Sequence, residues 1–90
     1  MANKLIVKNK KLIVANWKMN PDTSRDAKKI FGDLKKKNLK IKKSTPVICP
    51  PILFLADLAT SYRGNLYQFG AQNVSWVKKK ESTGEISTDM

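Results

Sequence analysis

Three short apolar runs, each stopping abruptly at a polar or proline-bearing turn, constrain this chain more than any other feature. The first, Leu12 to Ala15, breaks off into "NWKMNP". The second, Val47 to Cys49, ends at Pro50 and Pro51. The third lies in "LYQFGAQN" and is broken by Gly70. The first run shows no clean polar–apolar alternation, which predicts a buried strand of a parallel sheet covered on both faces.

The stretches between the runs have helical periodicity. In "DTSRDAKKIFGDLKKKNLK", Ala27, Ile30, Phe31 and Leu34 form one stripe at helical spacing. Thr23 and Ser24 are candidate caps, and Thr23 with Asp26 resembles a capping box. Gly32 inside the pattern costs about 1 kcal/mol relative to alanine. Lys28, Lys29, Lys35, Lys36 and Lys37 lie mostly off the stripe and read as a solvated face. Pro51 suits the entry of a second helix, from Ile52 to about Tyr62. Its predicted apolar face is Leu55, Leu58, Ala59 and Tyr62, with Gly64 and Asn65 as its C-terminal cap. Near the end, Ser87 is placed to cap a helix that has no room to continue.

The order strand, helix, strand, helix, strand, loop predicts an α/β fold of βαβ units on a parallel sheet. Right-handed crossovers put both helices on one side and leave the other face bare. Such a sheet, with two open edges, is not a comfortable domain alone. The chain therefore reads as the beginning of something larger. "KLIV" occurs twice, at residues 4–7 and 11–14. Residues 1–10 read as an N-terminal extension, or as an added edge strand, and residues 11–90 as the folding unit.

Composition removes several function classes. Ninety residues suffice for one small domain with a thin core. Cys49 is the only cysteine and histidine is absent, so neither an intrachain disulfide nor a Cys/His zinc site is available. No apolar run approaches the roughly 18–20 residues of a membrane span. Leu5 to Val7 is too short for a signal peptide, so a cytoplasmic location is expected. The formal charge is +11, nearly all from lysine. Charge of this size can hold phosphate backbones without sequence preference. Yet Arg25 and Arg63 are the only arginines, and aromatic residues do not interleave with the lysines as in a base-stacking platform. A small basic nucleic-acid-binding module is the alternative this leaves. Its signature would be a steep salt dependence that flattens when Lys78 to Lys80 are removed.

The chemistry-bearing residues gather where the first run stops. Asn16, Trp17 and Lys18 follow Ala15 directly, and a strand presenting Asn and Lys at its end has the form of an α/β active-site rim. Taken alone, Lys18 reads as a solvated surface lysine and Trp17 as a core or rim aromatic.

The motifs "VANWKMN", "VICPP" and "GAQNVSW" followed by "TGEIS" occur in that order from Lys11 onward. Together they resemble the first three strand-end motifs of the triosephosphate isomerase family, whose fold is the (β/α)8 barrel. The resemblance implies a partial barrel, the N-terminal βαβαβ portion, with chemistry at the C-terminal mouth of the strands. It implies that Lys18 supplies a fixed positive charge to a substrate phosphate and to the developing enediolate oxygen. Asn16 would donate a hydrogen bond nearby and help hold Lys18, and the backbone around Trp17 would line the substrate turn. No metal or organic cofactor is implied. The family pairs a glutamate base with a neutral histidine, and both lie later in its chain. Glu81 and Glu85 fall in the third loop, not at the base position. The expected reaction is interconversion of dihydroxyacetone phosphate and glyceraldehyde 3-phosphate, with this chain inactive alone. A non-catalytic partial barrel that binds a phosphorylated ligand or a protein is a further alternative.

The resemblance also implies a homodimer when full length. In the loop from Asn73 to Ser87, Gln72 and Asn73 open the segment and Thr83, Gly84 and Glu85 close it. Thr83 would reach toward the partner's Asn16 and Lys18, and Met19 would line the receiving pocket. Without the rest of the barrel this loop is expected to be disordered. The triose phosphate and a second copy are thus the expected partners, with no specific nucleic acid and no membrane.

Overall fold

The computed structural model describes residues 11–37, 43–77 and 81–90. The extension or edge strand expected at residues 1–10, and the lysines at 78–80, lie outside the described residues. The elements run β1 (Lys11–Asn16), α1 (Ser24–Lys37), β2 (Ser44–Cys49), α2 (Ile52–Ser61) and β3 (Gln68–Phe69). The sheet order is β1-β2-β3, with both pairings parallel. The strand–helix alternation and the parallel sheet are as the sequence predicts.

Helix α1 starts where its cap was expected. Thr23 Oγ1 accepts from the Asp26 amide at 3.1 Å, and Thr23 O accepts from the Ala27 amide at 3.0 Å. The first bond satisfies a donor that the first helical turn otherwise leaves unpaired, and the second opens the helix's own ladder. Ala27 and Phe31 are buried and Leu34 packs beside them, whereas Ile30 stays at the solvent edge.

Both helices cover the same face of the sheet, as right-handed crossovers require. The core there joins Ala27 and Phe31 of α1, Ile48 of β2, Phe54 and Leu58 of α2, and Tyr67. Phe31 meets Tyr62, Tyr67 and Phe69 edge-to-face, with centroids 5.4, 5.2 and 5.3 Å away. Such arrangements add about 0.5–1.5 kcal/mol per pair beyond area burial.

This aromatic cluster corrects the expected face and end of α2. The buried residues are Phe54 and Leu58, with Leu55 only half-buried and Ala59 exposed. Phe54 joins the buried cluster with Leu58, so the helix turns that edge to the core. Its C-cap is Tyr62, in extended conformation, rather than Gly64 and Asn65. The Tyr62 phenol oxygen accepts from the amides of Leu66, at 3.0 Å, and Tyr67, at 3.2 Å. Gly64 is needed because the ring occupies the space of a side chain there: a Cβ would lie 2.6 Å from Tyr62 Cζ. The same bonds shorten the third strand. Only Gln68 and Phe69 pair within the longer expected stretch, and Gly70 N then donates to Ile48 O at 3.0 Å.

A second correction concerns β1, which is not buried on both faces. Leu12, Ile13 and Val14 are 54, 52 and 59% exposed. The strand lies at the sheet edge, so its apolar side chains have neighbours on one side only. The register pairs Ala15 with Ile48 and Asn16 with Cys49. Side chains alternate between faces along a strand, so Ala15 turns toward the helices while Leu12, Val14 and Asn16 share the opposite face with Val47 and Cys49. Gln68, paired with Val47, is on that face too. Its Nε2 is buried and, among the described residues, has no hydrogen-bond partner.

One polar clamp joins the helices. Asp57 Oδ2 accepts from Ser24 Oγ at 3.2 Å and pairs with Lys28 Nζ at 3.1 Å. The Lys28 hydrogen bond, then that of Ser24, holds the Asp57 carboxyl below the ordinary aspartate value. A carboxylate with a depressed folded-state pKa stabilises above its unfolded pKa, and that contribution disappears as pH falls through the folded pKa. Acid-unfolding curves of the wild type and Asp57→Asn should therefore differ near neutral pH and converge as pH falls below the ordinary aspartate value and through the lowered folded-state one. The gap should be small and shrink with salt, because the pair is exposed. A gap that persists unchanged at the acid end would exclude the ion pair as its source.

Candidate active site at the carboxyl ends of the strands

Strand β1 delivers Asn16, Trp17 and Lys18 to the carboxyl edge of the sheet, and five hydrogen bonds fix the turn they make. The Trp17 amide donates to Cys49 O at 3.0 Å, carrying the parallel ladder one residue beyond the strand. The Lys18 amide donates to Asn16 Oδ1 at 2.8 Å. That is the local side-chain-to-backbone bond by which asparagine makes turns. The Asn20 amide closes back on Trp17 O at 3.3 Å. Gln72, arriving from beyond β3, donates its Nε2 to Lys18 O at 2.8 Å and to Cys49 O at 2.9 Å.

Lys18 itself has φ 60°, the left-handed region. A residue with a Cβ held there stores about 1–3 kcal/mol, maintained only when its surroundings over-determine it. Here both backbone groups of Lys18 are bonded, the N–H to Asn16 and the carbonyl to Gln72. Trp17 is half-buried against the core cluster and anchors the turn from the helix side. Asn16 and Lys18 remain exposed. The result is an ammonium on a backbone of fixed direction at the mouth of the strands, beside an amide. That arrangement can hold an anion and stabilise negative charge that develops on it.

Cys49, opposite Asn16, is buried, and burial pushes its thiol up while a backbone hydrogen bond from Gly70 opposes the shift. It stays protonated at neutral pH and serves as packing: a Cβ on Gly70 would stand 3.3 Å from Sγ, a tight contact that Cys49 would have to yield to.

The loop residues singled out from the sequence lie on the same end. Gln72, Asn73, Thr83, Gly84 and Glu85 are exposed, and Met19 is 88% exposed. The base of the loop is closed by the Ser75 amide donating to Ile86 O at 2.7 Å. Gly84 has φ 80°, which only glycine adopts without cost. A cavity of about 190 Å³ is lined by Ile52, Gln72, Asn73, Gly84 and Ile86. Ser87 makes a cap's contacts, accepting from the Met90 amide through Oγ and through its carbonyl, both at 3.3 Å. Sequence reasoning placed Gln72 at the loop's mouth and missed its hold on Lys18. No local signal reveals it, since the two residues are 54 apart in sequence.

A parallel βαβαβ sheet with helices on one face and polar residues gathered at the strands' carboxyl ends defines an α/β-barrel type of protein, whose sites are built on that edge. The triosephosphate isomerase family model matches residues 11–90, and the chain belongs to that family. Among curated relatives named triosephosphate isomerase, that of Nitrosococcus oceani is 36% identical over 80 residues, covering 88% of this chain. Those of Idiomarina loihiensis and Xylella fastidiosa (strain M12) are 38% and 35% identical, each covering 89% of it. The chain spans about a third of the length of these relatives, 31% in each case. Its fold is the N-terminal βαβαβ portion of a TIM barrel. Among the described residues, no helix is long and apolar enough to cross a membrane.

Proposed function

We propose that this chain supplies the first three strands and two helices of a triosephosphate isomerase. The reaction is interconversion of dihydroxyacetone phosphate and D-glyceraldehyde 3-phosphate by proton abstraction next to a carbonyl, in the cytoplasm, without metal or organic cofactor. Lys18 provides the positive charge for the phosphate and for the enediolate oxygen, and Asn16 donates to the same region. The substrate turn is the backbone about Trp17. The observation that carries this reading is the left-handed backbone at Lys18, clamped through both its N–H and its carbonyl at the carboxyl end of β1. Strain kept at one lysine by a dedicated set of bonds is the mark of a site rather than of a solvated side chain.

The chain is inactive alone. It contains no histidine, and proton transfer by a positioned acid or base is typically worth about 10²–10⁴-fold. The half-exposed β1 and the unpartnered Gln68 amide support a sheet face completed by further strands. The whole enzyme is a homodimer in which the loop from Asn73 to Ser87 docks beside the partner's site, with Met19 in the receiving pocket.

The test is a chimera. Residues 11–90 are joined to the segment of the Nitrosococcus oceani relative that follows its matched 80 residues. The folded chimera should isomerise glyceraldehyde 3-phosphate, and the 90-residue chain alone should not exceed buffer. A chimera with native-like circular dichroism and no turnover would refute the isomerase assignment. Turnover by the isolated chain would refute its inactivity.

A further inference from the structure

We infer that Gln72 is a positioning residue for Lys18, setting the direction of its ammonium from across the sheet; the inference rests on the isomerase reading above. The Gln72 side-chain nitrogen has two hydrogens, and both are used. One goes to Lys18 O at 2.8 Å and the other to Cys49 O at 2.9 Å. Cys49 O also accepts the Trp17 amide at 3.0 Å. A single side-chain amide thus ties the segment after β3 to the end of β2 and to the strained turn after β1.

The tie acts where it has most leverage. Lys18 sits at φ 60°, and among the described residues its N–H is held only by the neighbouring Asn16 side chain at 2.8 Å. That bond is local and moves with the turn. The Gln72 bond is the one fixing Lys18 to a different part of the sheet. Without it the Lys18 peptide is free to relax toward a common conformation. The Cα–Cβ direction, and with it the ammonium, then swings away from the substrate. An error near 1 Å in placing such a group costs about 10²-fold in rate.

Two substitutions separate positioning from simple stabilisation. Gln72→Leu keeps the volume and removes both donors. Gln72→Glu keeps the shape and places a carboxylate against two carbonyl oxygens. Such a group resists ionisation, and once protonated it regains one donor. Both are made in the chimera and followed by kcat and KM per folded site. Carbonyl ¹³C shifts of Lys18 and Cys49, and deuterium exchange of the Lys18 amide, are recorded alongside. For Gln72→Leu, kcat should fall about 10–100-fold per folded site, the two carbonyl shifts should move together, and the Lys18 amide should exchange faster. For Gln72→Glu, the ratio of its kcat to wild type should rise as pH falls. A purely structural role would lower the folded fraction, leave kcat per folded site unchanged and give a flat ratio. Unmoved carbonyl shifts and unchanged Lys18 exchange in Gln72→Leu would overturn the proposal. If the wild-type chimera folds but does not turn over, the isomerase reading fails, and the shifts and exchange still decide whether Gln72 holds Lys18.

Discussion

In the chimeric enzyme, Lys18→Met should lower kcat by about 10²–10³-fold, the usual scale for losing one preorganised electrostatic contact to the transition state. The fold should survive. Both bonds that clamp this position use main-chain atoms, the N–H to Asn16 Oδ1 and the carbonyl from Gln72 Nε2, and methionine keeps them. Methionine also matches the unbranched stem of lysine, and Lys18 is exposed, so no core contact is lost. What disappears is the charge alone. Because that charge is assigned both to the substrate phosphate and to the enediolate oxygen, KM should rise as kcat falls. Unfolding midpoints of the two proteins should agree. Near-normal turnover in Lys18→Met would show that the catalytic charge lies elsewhere.

If the chimera forms the proposed dimer, replacing residues 77–82 with a short glycine linker should convert it to monomer and lower its turnover by about 10²-fold or more. Trp76 and Met19 are 93% and 88% exposed. The proposed dimer would cover both side chains. The substitution leaves the loop's base in place, because the bond from the Ser75 amide to Ile86 O lies outside the replaced segment. It therefore changes the middle of the loop without removing that closure. A fixed neighbour around exposed Asn16 and Lys18 keeps their geometry, so loss of the dimer and loss of turnover should appear together. Sedimentation and kinetics on one sample provide the check. A tight dimer with undiminished activity would remove the loop from the interface.

Features that depend on neighbouring residues were legible in the sequence. The cap at Thr23 is one, since a hydroxyl and an amide three residues on meet by helix geometry alone. The Ser87 contacts to the Met90 amide follow the same rule. The parallel order of three strands was legible too, because apolar runs separated by amphipathic helices leave few other topologies. Features set by distant partners were not. The face of α2 is rotated toward Phe54, which joins a core built from both helices, and its end is closed by Tyr62, whose ring packs on Phe31 of the other helix. Gly64 looked like a helix cap and proved to be the space for a ring. The apolar composition of β1 predicted burial, yet its edge position leaves Leu12, Ile13 and Val14 half in solvent.

The candidate site divides along the same line. By itself the sequence determined that Asn16, Trp17 and Lys18 stand at the end of the first strand, because the apolar run stops there and Asn begins a turn. Only the tertiary structure decided that Lys18 is held in a left-handed conformation, and that Gln72 holds it. Lysine has no preference for that backbone region, so no residue type announces it. The energy that keeps it there comes from a side chain 54 residues away, brought within hydrogen-bond reach only after β1, β2 and β3 have paired.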